Sequence, residues 1–292
     1  MMDHKARLKE RLDELSGLYH ADYLYSDPLK YLHRYSEAED REVVGLLVSS
    51  LAYGRVAQIF KSVEQCLLRM GPSPAEYVKN FSPERDSADF EGFVHRFNRG
   101  IDISCLLWFM KQVLDGEGTL SALFKRLFEA SPEESELNTG GVLSRFSAHM
   151  LSLDSSPFYG PAGLPEKAGV RYFFPSPRDG SPCKRLSLYL RWMVRRDDGL
   201  DLGLWDFIPV SKLVIPLDTH VARLSRYLGL TERKSPSWRM AIEVTESLRR
   251  LDPEDPLKYD FALARLGILD FCPQRRDPAK CLECGIKDIC AL

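Results

Sequence analysis

Residues 215–230, IPLDTHVARLSRYLGL, read as a short helix with both of its ends marked. Asp218 offers a side-chain oxygen to the unpaired N–H groups of a first turn, which makes it the expected N-cap. Val221, Leu224 and Leu228 recur at helical spacing, and Gly229 supplies the C-terminal stop. The same period recurs on both sides of this stretch. Residues 5–24 carry Leu8, Leu12, Leu15 and Leu18 on one face. Val43, Val44, Leu47, Val48 and Leu51 repeat as a buried helix face, and residues 55–70 continue that period until Gly71-Pro72. Residues 103–110 are apolar on all sides, the mark of a buried helix. No segment alternates convincingly with period two, so the expected fold class is all-α. Residues 152–182 are rich in Pro, Gly and Ser and read as a long loop or hairpin region. Ser181-Pro182 and Ser235-Pro236 each predict a helix start, with serine as N-cap and proline as first helical residue.

The chain has 292 residues, enough for one large domain or two moderate lobes. With 44% hydrophobic and 28% charged residues it has the make-up of an ordinary globular protein. No apolar run reaches the roughly 18 residues of a membrane span, and the N-terminus is charged from residue 3. Neither signal peptide nor anchor is expected, and a cytoplasmic location follows. The net charge of −2 does not mark a nucleic-acid binder, but its distribution is uneven. Residues 171–234 hold twelve Lys/Arg against seven Asp/Glu, a surplus of five, which leaves the remainder at −7. Such a face either holds a phosphate backbone or is simply solvated.

Four of the seven cysteines, Cys272, Cys281, Cys284 and Cys290, fall in one C-x8-C-x2-C-x5-C loop. In a reducing compartment, four clustered thiols point to metal ligation rather than disulfides, with either zinc or an iron–sulfur cluster as occupant. Arg275, Arg276, Lys280 and Lys287 surround the loop with positive charge. Cys66, Cys105 and Cys183 are scattered and read as small buried or neutral side chains.

Lys184 stands in the first turn of a predicted helix, where the positive end of the macrodipole opposes a cation and lowers the lysine pKa. A neutral amine there is a nucleophile able to form a Schiff base; a solvated lysine lying over the turn is the alternative. Asp218 likewise stays open between capping and catalysis.

Taken together, Asp218-Thr219-His220-Val221 with Arg223, followed about fifty residues later by the four-cysteine loop, resembles the helix-hairpin-helix DNA glycosylase superfamily of endonuclease III and the adenine glycosylase MutY. Cys281, Cys284 and Cys290 match that superfamily's cluster spacing, and Cys272 differs by a two-residue expansion. Residues 46–55, LLVSSLAYGR, lie where the superfamily has its early buried helix and base-pocket turn. The segment KRLSLYLRWMVRRDDGLDLGLW further resembles a bacterial family of unknown function. The superfamily's hairpin L-P-G-V-G-x-K-T-A is absent as such. Gly180-Ser181-Pro182-Cys183-Lys184-Arg185 imitates it, 34 residues before Asp218, a gap similar to that of the archaeal 8-oxoguanine glycosylases. Lys212, six residues before Asp218, is the lesser candidate for the lysine.

The resemblance implies two helical lobes flanking a DNA-binding cleft: residues 41–204 with the hairpin region, and residues 1–40 with 205–292 and the cluster loop. It implies a base-excision glycosylase with β-lyase activity on double-stranded DNA, acting as a monomer on an oxidised or otherwise damaged base. Lys184 would attack the sugar and Asp218 would stabilise the positive charge that develops there. Arg178, Gly180, Ser181, Arg185, Arg275, Arg276 and Lys280 would contact DNA, and Tyr53, Trp192 or Phe174 would stack on the extruded base. The four cysteines would hold a structural [4Fe–4S] cluster, with zinc as the alternative. The rival reading is a non-catalytic DNA- or RNA-binding protein on the same scaffold; an enzyme acting on modified nucleosides in RNA is a third.

Overall fold

The computed structural model describes residues 4–130, 132–196, 199–269, 272 and 277–291. These form a mostly helical protein. In chain order the helices are α1 (His4–Leu18), α2 (Ala38–Leu51), α3 (Val56–Met70), α4 (Pro74–Lys79), α5 (Pro83–Asp86), α6 (Gly100–Glu117), α7 (Leu120–Glu129) and α8 (Pro132–Leu137). They continue with α9 (Gly140–Ser152), α10 (Ser156–Tyr159), α11 (Lys184–Val194), α12 (Thr219–Tyr227), α13 (Trp238–Arg249), α14 (Asp260–Ile268) and α15 (Pro278–Glu283). None of the described helices is long and apolar enough to cross a membrane.

Helix α2 is buried on nearly every side, as its near-continuous apolar sequence requires. It packs closely on α11, and Gly45 makes the approach possible: a Cβ there would lie 2.8 Å from Met193 Cε and 2.9 Å from Tyr189. The Tyr189 hydroxyl donates to the Glu42 carbonyl at 3.1 Å, pinning the crossing. Helix α12 packs on α14 in the same way, with Gly267 where a Cβ would meet His220 Cβ at 2.6 Å. Helix α1 packs against α14 and against the last 3-10 turn, Lys287–Ile289. Its Arg11 guanidinium donates to Asp288 at 2.7 and 3.0 Å.

Three local expectations are corrected. Two short antiparallel strands, β1 (Val94–His95) and β2 (Asn98–Arg99), form a hairpin, although period-two patterning predicted none. Two residues per strand are too few for alternation to register. Helix α11 begins at Lys184 rather than at Pro182; Cys183, in the left-handed region at φ 48°, is its N-cap. Ser181 Oγ instead accepts the Cys183 N–H at 3.3 Å, closing a turn before the helix. Likewise α13 is capped by Ser237, which accepts from Met240 N at 3.2 Å, so Ser235-Pro236 belongs to the preceding loop. The long 152–182 region contains α10 and two 3-10 turns, Gly169–Phe173 and Pro177–Asp179.

Candidate active site

The starts of α11, α12 and α14, together with the end of α2, converge on a cavity of about 790 Å³. From α11 it takes Lys184, Leu188 and Arg191, spaced i, i+4, i+7 and therefore on one helix face. From α12 come Asp218 and His220, and from α14 Asp260 and Arg265. Asp27 closes it from the segment before α2, while Tyr53, Arg55 and Arg96 stand on the remaining wall. Four arginines (Arg55, Arg96, Arg191, Arg265) and Lys184 face three carboxylates (Asp27, Asp218, Asp260), a formal surplus of one positive charge with Lys184 neutral and of two with it charged. A low-dielectric cavity of that sign favours an anionic ligand.

Lys184 is the first residue of α11 and is half-buried at the cavity wall. Its Nζ donates to the carbonyl of Ala52, the C-cap of α2, at 2.9 Å. The amine is thus held between the positive end of one helix and the negative end of another. Burial pushes its pKa down; Asp218, Asp27 and Asp260 oppose that shift and Arg185 adds to it. The left-handed Cys183 immediately before it is a strained conformation for a residue with a Cβ, and such strain concentrates at functional positions.

Asp218 caps α12 as its position in the sequence predicts. Its Oδ1 accepts from His220 N and Val221 N, both at 2.8 Å. Its Oδ2 has no hydrogen-bond partner among the described residues. Capping and facing the cavity are therefore compatible roles for one carboxylate.

Behind these two residues lies a network of buried ion pairs. Arg191 bonds to Asp260 and, at 3.1 Å, to Asp201, with all three residues almost wholly buried. Arg195 joins Asp201 at 2.6 Å and Asp255 at 2.8 Å. Arg265 pairs with Asp27 at 2.9 Å and donates to the Ser26 carbonyl at 2.9 Å, while its buried Nε has no partner among the described residues. Burial alone would lower the Arg191 pKa, but Asp201, Asp260 and Asp27 outweigh it, so the guanidinium stays charged. Burial raises the Asp260 carboxyl, Arg191 opposes the shift, and Asp218 adds to it. Truncating one member of such a network leaves an uncompensated charge, so its geometry is rigidly held.

The other residues singled out from sequence fall in several places. Arg178 and Gly180 are exposed on the turn before α11, and Ser181 is half-buried. The Gly180 carbonyl accepts from Trp238 N at 3.0 Å, which ties this turn to the start of α13. Arg185 corrects the expectation of a surface phosphate contact. It is buried, donating to the carbonyls of Ser50 and Tyr172 with its guanidinium 3.9 Å from the Tyr172 ring centroid. Trp192 and Phe174 are core residues, whereas Tyr53 lines the cavity. Lys212 lies in the 3-10 turn Val210–Lys212, outside the cavity wall. Arg275 and Arg276 lie outside the described residues.

The cysteine loop sits at the far end of α12. Arg223 donates to the Cys272 carbonyl at 2.8 Å, and the Tyr227 carbonyl accepts from Ala291 N at 2.8 Å. Asp277 caps α15, accepting from Ala279 N at 3.0 Å and Lys280 N at 3.3 Å. Cys272 is buried and Cys281, Cys284 and Cys290 are half-buried. Burial raises the Cys272 thiol, and the neighbouring Cys284 and Cys290 thiols add to it, against Arg223. Thiol donors as such suit a thiophilic metal once deprotonated. Among the described residues, however, no three His, Cys, Asp or Glu side chains are arranged to hold one.

Sequence reasoning missed Asp27, Arg96, Arg191, Asp260 and Arg265. For Arg191 there was a signal: it shares the i, i+4, i+7 face of Lys184 and Leu188. The others come from distant segments and carry no local mark.

The family model described as protein of unknown function (DUF2400) matches residues 27–269, and the chain belongs to that family. The matched stretch contains every cavity residue named above and ends before Cys272. No curated protein and no solved structure matches the chain.

Proposed function

From a family whose description carries no chemistry, and from the contents of this cavity, we propose that the protein is a DNA base-excision glycosylase with lysine-dependent lyase activity. One observation carries this reading: Lys184 and Asp218, 34 residues apart in sequence, line the same cavity, and burial lowers the pKa of the lysine amine. The positive surplus of the lining and a volume within the usual range of ligand cavities, roughly 300–1,000 Å³, support a nucleotide as occupant. The two-lobed glycosylase architecture and the damaged-duplex substrate belong to the same proposal.

In this mechanism the damaged nucleotide leaves the stack and enters the cavity. The neutral Lys184 amine attacks C1′; the C1′–N bond to lysine forms as the glycosidic C1′–N bond breaks, and the base leaves with its bonding pair and takes up a proton. The free Oδ2 of Asp218 stabilises the positive charge developing on the sugar. Loss of a proton from the lysine nitrogen and opening of the sugar ring give a Schiff base. Removal of a C2′ proton then expels the 3′ phosphate by β-elimination. Cys272, Cys281, Cys284 and Cys290 are the residues that would hold a structural iron–sulfur cluster, or zinc, beside the DNA-binding face. Such a group would supply rigidity and positive charge, with no part in bond breaking.

A second reading has its own support. The bond from Lys184 Nζ to the Ala52 carbonyl fits a lysine that merely caps α2, in a non-catalytic nucleic-acid-binding protein. Borohydride trapping on oligonucleotides carrying an abasic site or 8-oxoguanine separates the two. A covalent adduct that disappears in Lys184→Gln supports the enzyme; binding without any adduct supports the second reading.

A further inference from the structure

The β1–β2 hairpin carries a second feature beside the cavity. Its two-residue loop is Arg96-Phe97, and only Arg96 has a positive φ, 56°. That backbone normally calls for glycine. The stem is firmly anchored. His95 is fully buried, with Nδ1 2.8 Å from Ser62 Oγ and Nε2 3.1 Å from the Tyr53 carbonyl. Asn98, equally buried, donates to the Gly169 carbonyl at 2.9 Å and to Asp102 at 3.2 Å. Yet the tip this stem presents is an aromatic ring: Phe97 remains 52% exposed.

The ring belongs to a built surface. Phe97 stacks on Tyr53 with centroids 5.3 Å apart and planes at 18°, and it meets the edge of Tyr172 at 4.6 Å. Tyr172 is itself 41% exposed. Arg185 lies over Tyr172 from within the protein, and the Arg96 guanidinium stands 5.5 Å from the Phe97 centroid. Tyr53 and Arg96 also line the cavity, so the platform is continuous with its mouth. The hairpin VHRFNR holds two arginines and no acid.

An exposed aromatic face on a strained, fully anchored hairpin, flanked by cations, has the chemistry of a nucleobase-stacking subsite. The geometry points to such a subsite at Phe97 and Tyr172. It takes an unpaired base adjacent to the nucleotide in the cavity while Arg96 meets the neighbouring phosphate. The inference rests on the nucleic-acid reading above and adds a substrate class: strands with an unstacked base beside the target. Single strands, loops and mismatched duplexes are then bound better than fully paired ones.

The test uses the full chain and an oligonucleotide carrying an abasic-site analogue flanked by a fluorescent base analogue whose emission falls on stacking. Wild-type protein is expected to quench it on binding. Phe97→Ala is expected to lose the quench and bind roughly tenfold more weakly, Phe97→Trp to restore both, and Phe97→Leu to restore neither. A quench that persists in Phe97→Ala, or full rescue by leucine, overturns the subsite while leaving the glycosylase reading intact. Tight binding with no quench in the wild type also overturns it, giving the face to another kind of partner. Wild-type protein that binds no oligonucleotide overturns both readings, and is recognised as such because no substitution is then at issue.

Discussion

The cavity and the cysteine loop lie toward opposite ends of α12, and they differ in how the chain holds them. At the Asp218 end, charged side chains from α11, α14, the segment after α11 and the segment before α2 form buried ion pairs: Arg191 with Asp201 and Asp260, and Arg265 with Asp27. At the Tyr227 end, four thiols lie on a segment tied to the rest of the protein through Arg223 on the Cys272 carbonyl, Ala291 N on the Tyr227 carbonyl and Arg11 on Asp288, with Cys281, Cys284 and Cys290 half-buried. The loop is conspicuous in sequence, whereas the cavity is assembled from segments far apart in the chain. The lesson is that a motif's legibility measures how local its geometry is, and not how much of the fold is committed to it.

This contrast can be broken most sharply at Lys184. Lys184→Gln is expected to reduce borohydride trapping to background while shifting stability by no more than about 1 kcal/mol, the net worth of the one hydrogen bond to Ala52 that it puts at risk. Retention of the adduct would remove the cavity's claim to chemistry. Next in size is Asp260→Ala, which strips Arg191 of one of its carboxylates. Urea denaturation should show a loss of about 3 kcal/mol; a loss below about 1 kcal/mol would mean that the buried network is not what holds the cavity. Asp218→Asn keeps a good N-cap and so the fold, while trapping should slow by about 10²-fold.

The pH dependence sharpens the same comparison. Lys184 is lowered from the ordinary lysine value chiefly by burial, so trapping should rise with pH as the amine deprotonates and level off below that value. Asp218 opposes the shift, so the profile of Asp218→Asn should move to lower pH. An unfolded chain protonates Lys184 more readily than the folded one, so the cost of burying it is full below the depressed value. That cost fades as pH rises toward the ordinary lysine value. A profile indifferent to Lys184→Gln would assign the titration elsewhere. The smallest expected effect on the cavity comes from the other end: Cys281→Ser should lower bound iron or zinc in elemental analysis while leaving Lys184 trapping within a few-fold of wild type. Colourless, zinc-replete wild-type protein would decide against iron–sulfur.

Much of the fold was legible because helical period and capping are local. Asp218 caps α12 and Gly229 follows its end at φ 69°, and the apolar stretch at 103–110 lies inside the buried α6. The same locality explains the misreadings. Ser181-Pro182 and Ser235-Pro236 carry the right residues for a helix start, but Cys183 and Ser237 take the caps, and the Ser181 hydroxyl accepts the Cys183 N–H in a local turn instead. The expectation that Arg185 faces DNA failed because a guanidinium in a helix's first turn reads the same whether it faces water or the Tyr172 ring.

The residue order alone therefore determined the helices, the cap at Asp218 and the clustering of four thiols, since each depends on neighbours within a few positions. Only the tertiary structure decided that Lys184 meets Asp218 at one cavity, that Asp27, Asp260, Arg191 and Arg265 surround them, and that the exposed Phe97 stacks on the cavity residue Tyr53. Those juxtapositions depend on how α2 crosses α11 and α12 crosses α14, at Gly45 and Gly267, and close packing across distant segments leaves no local periodicity to read.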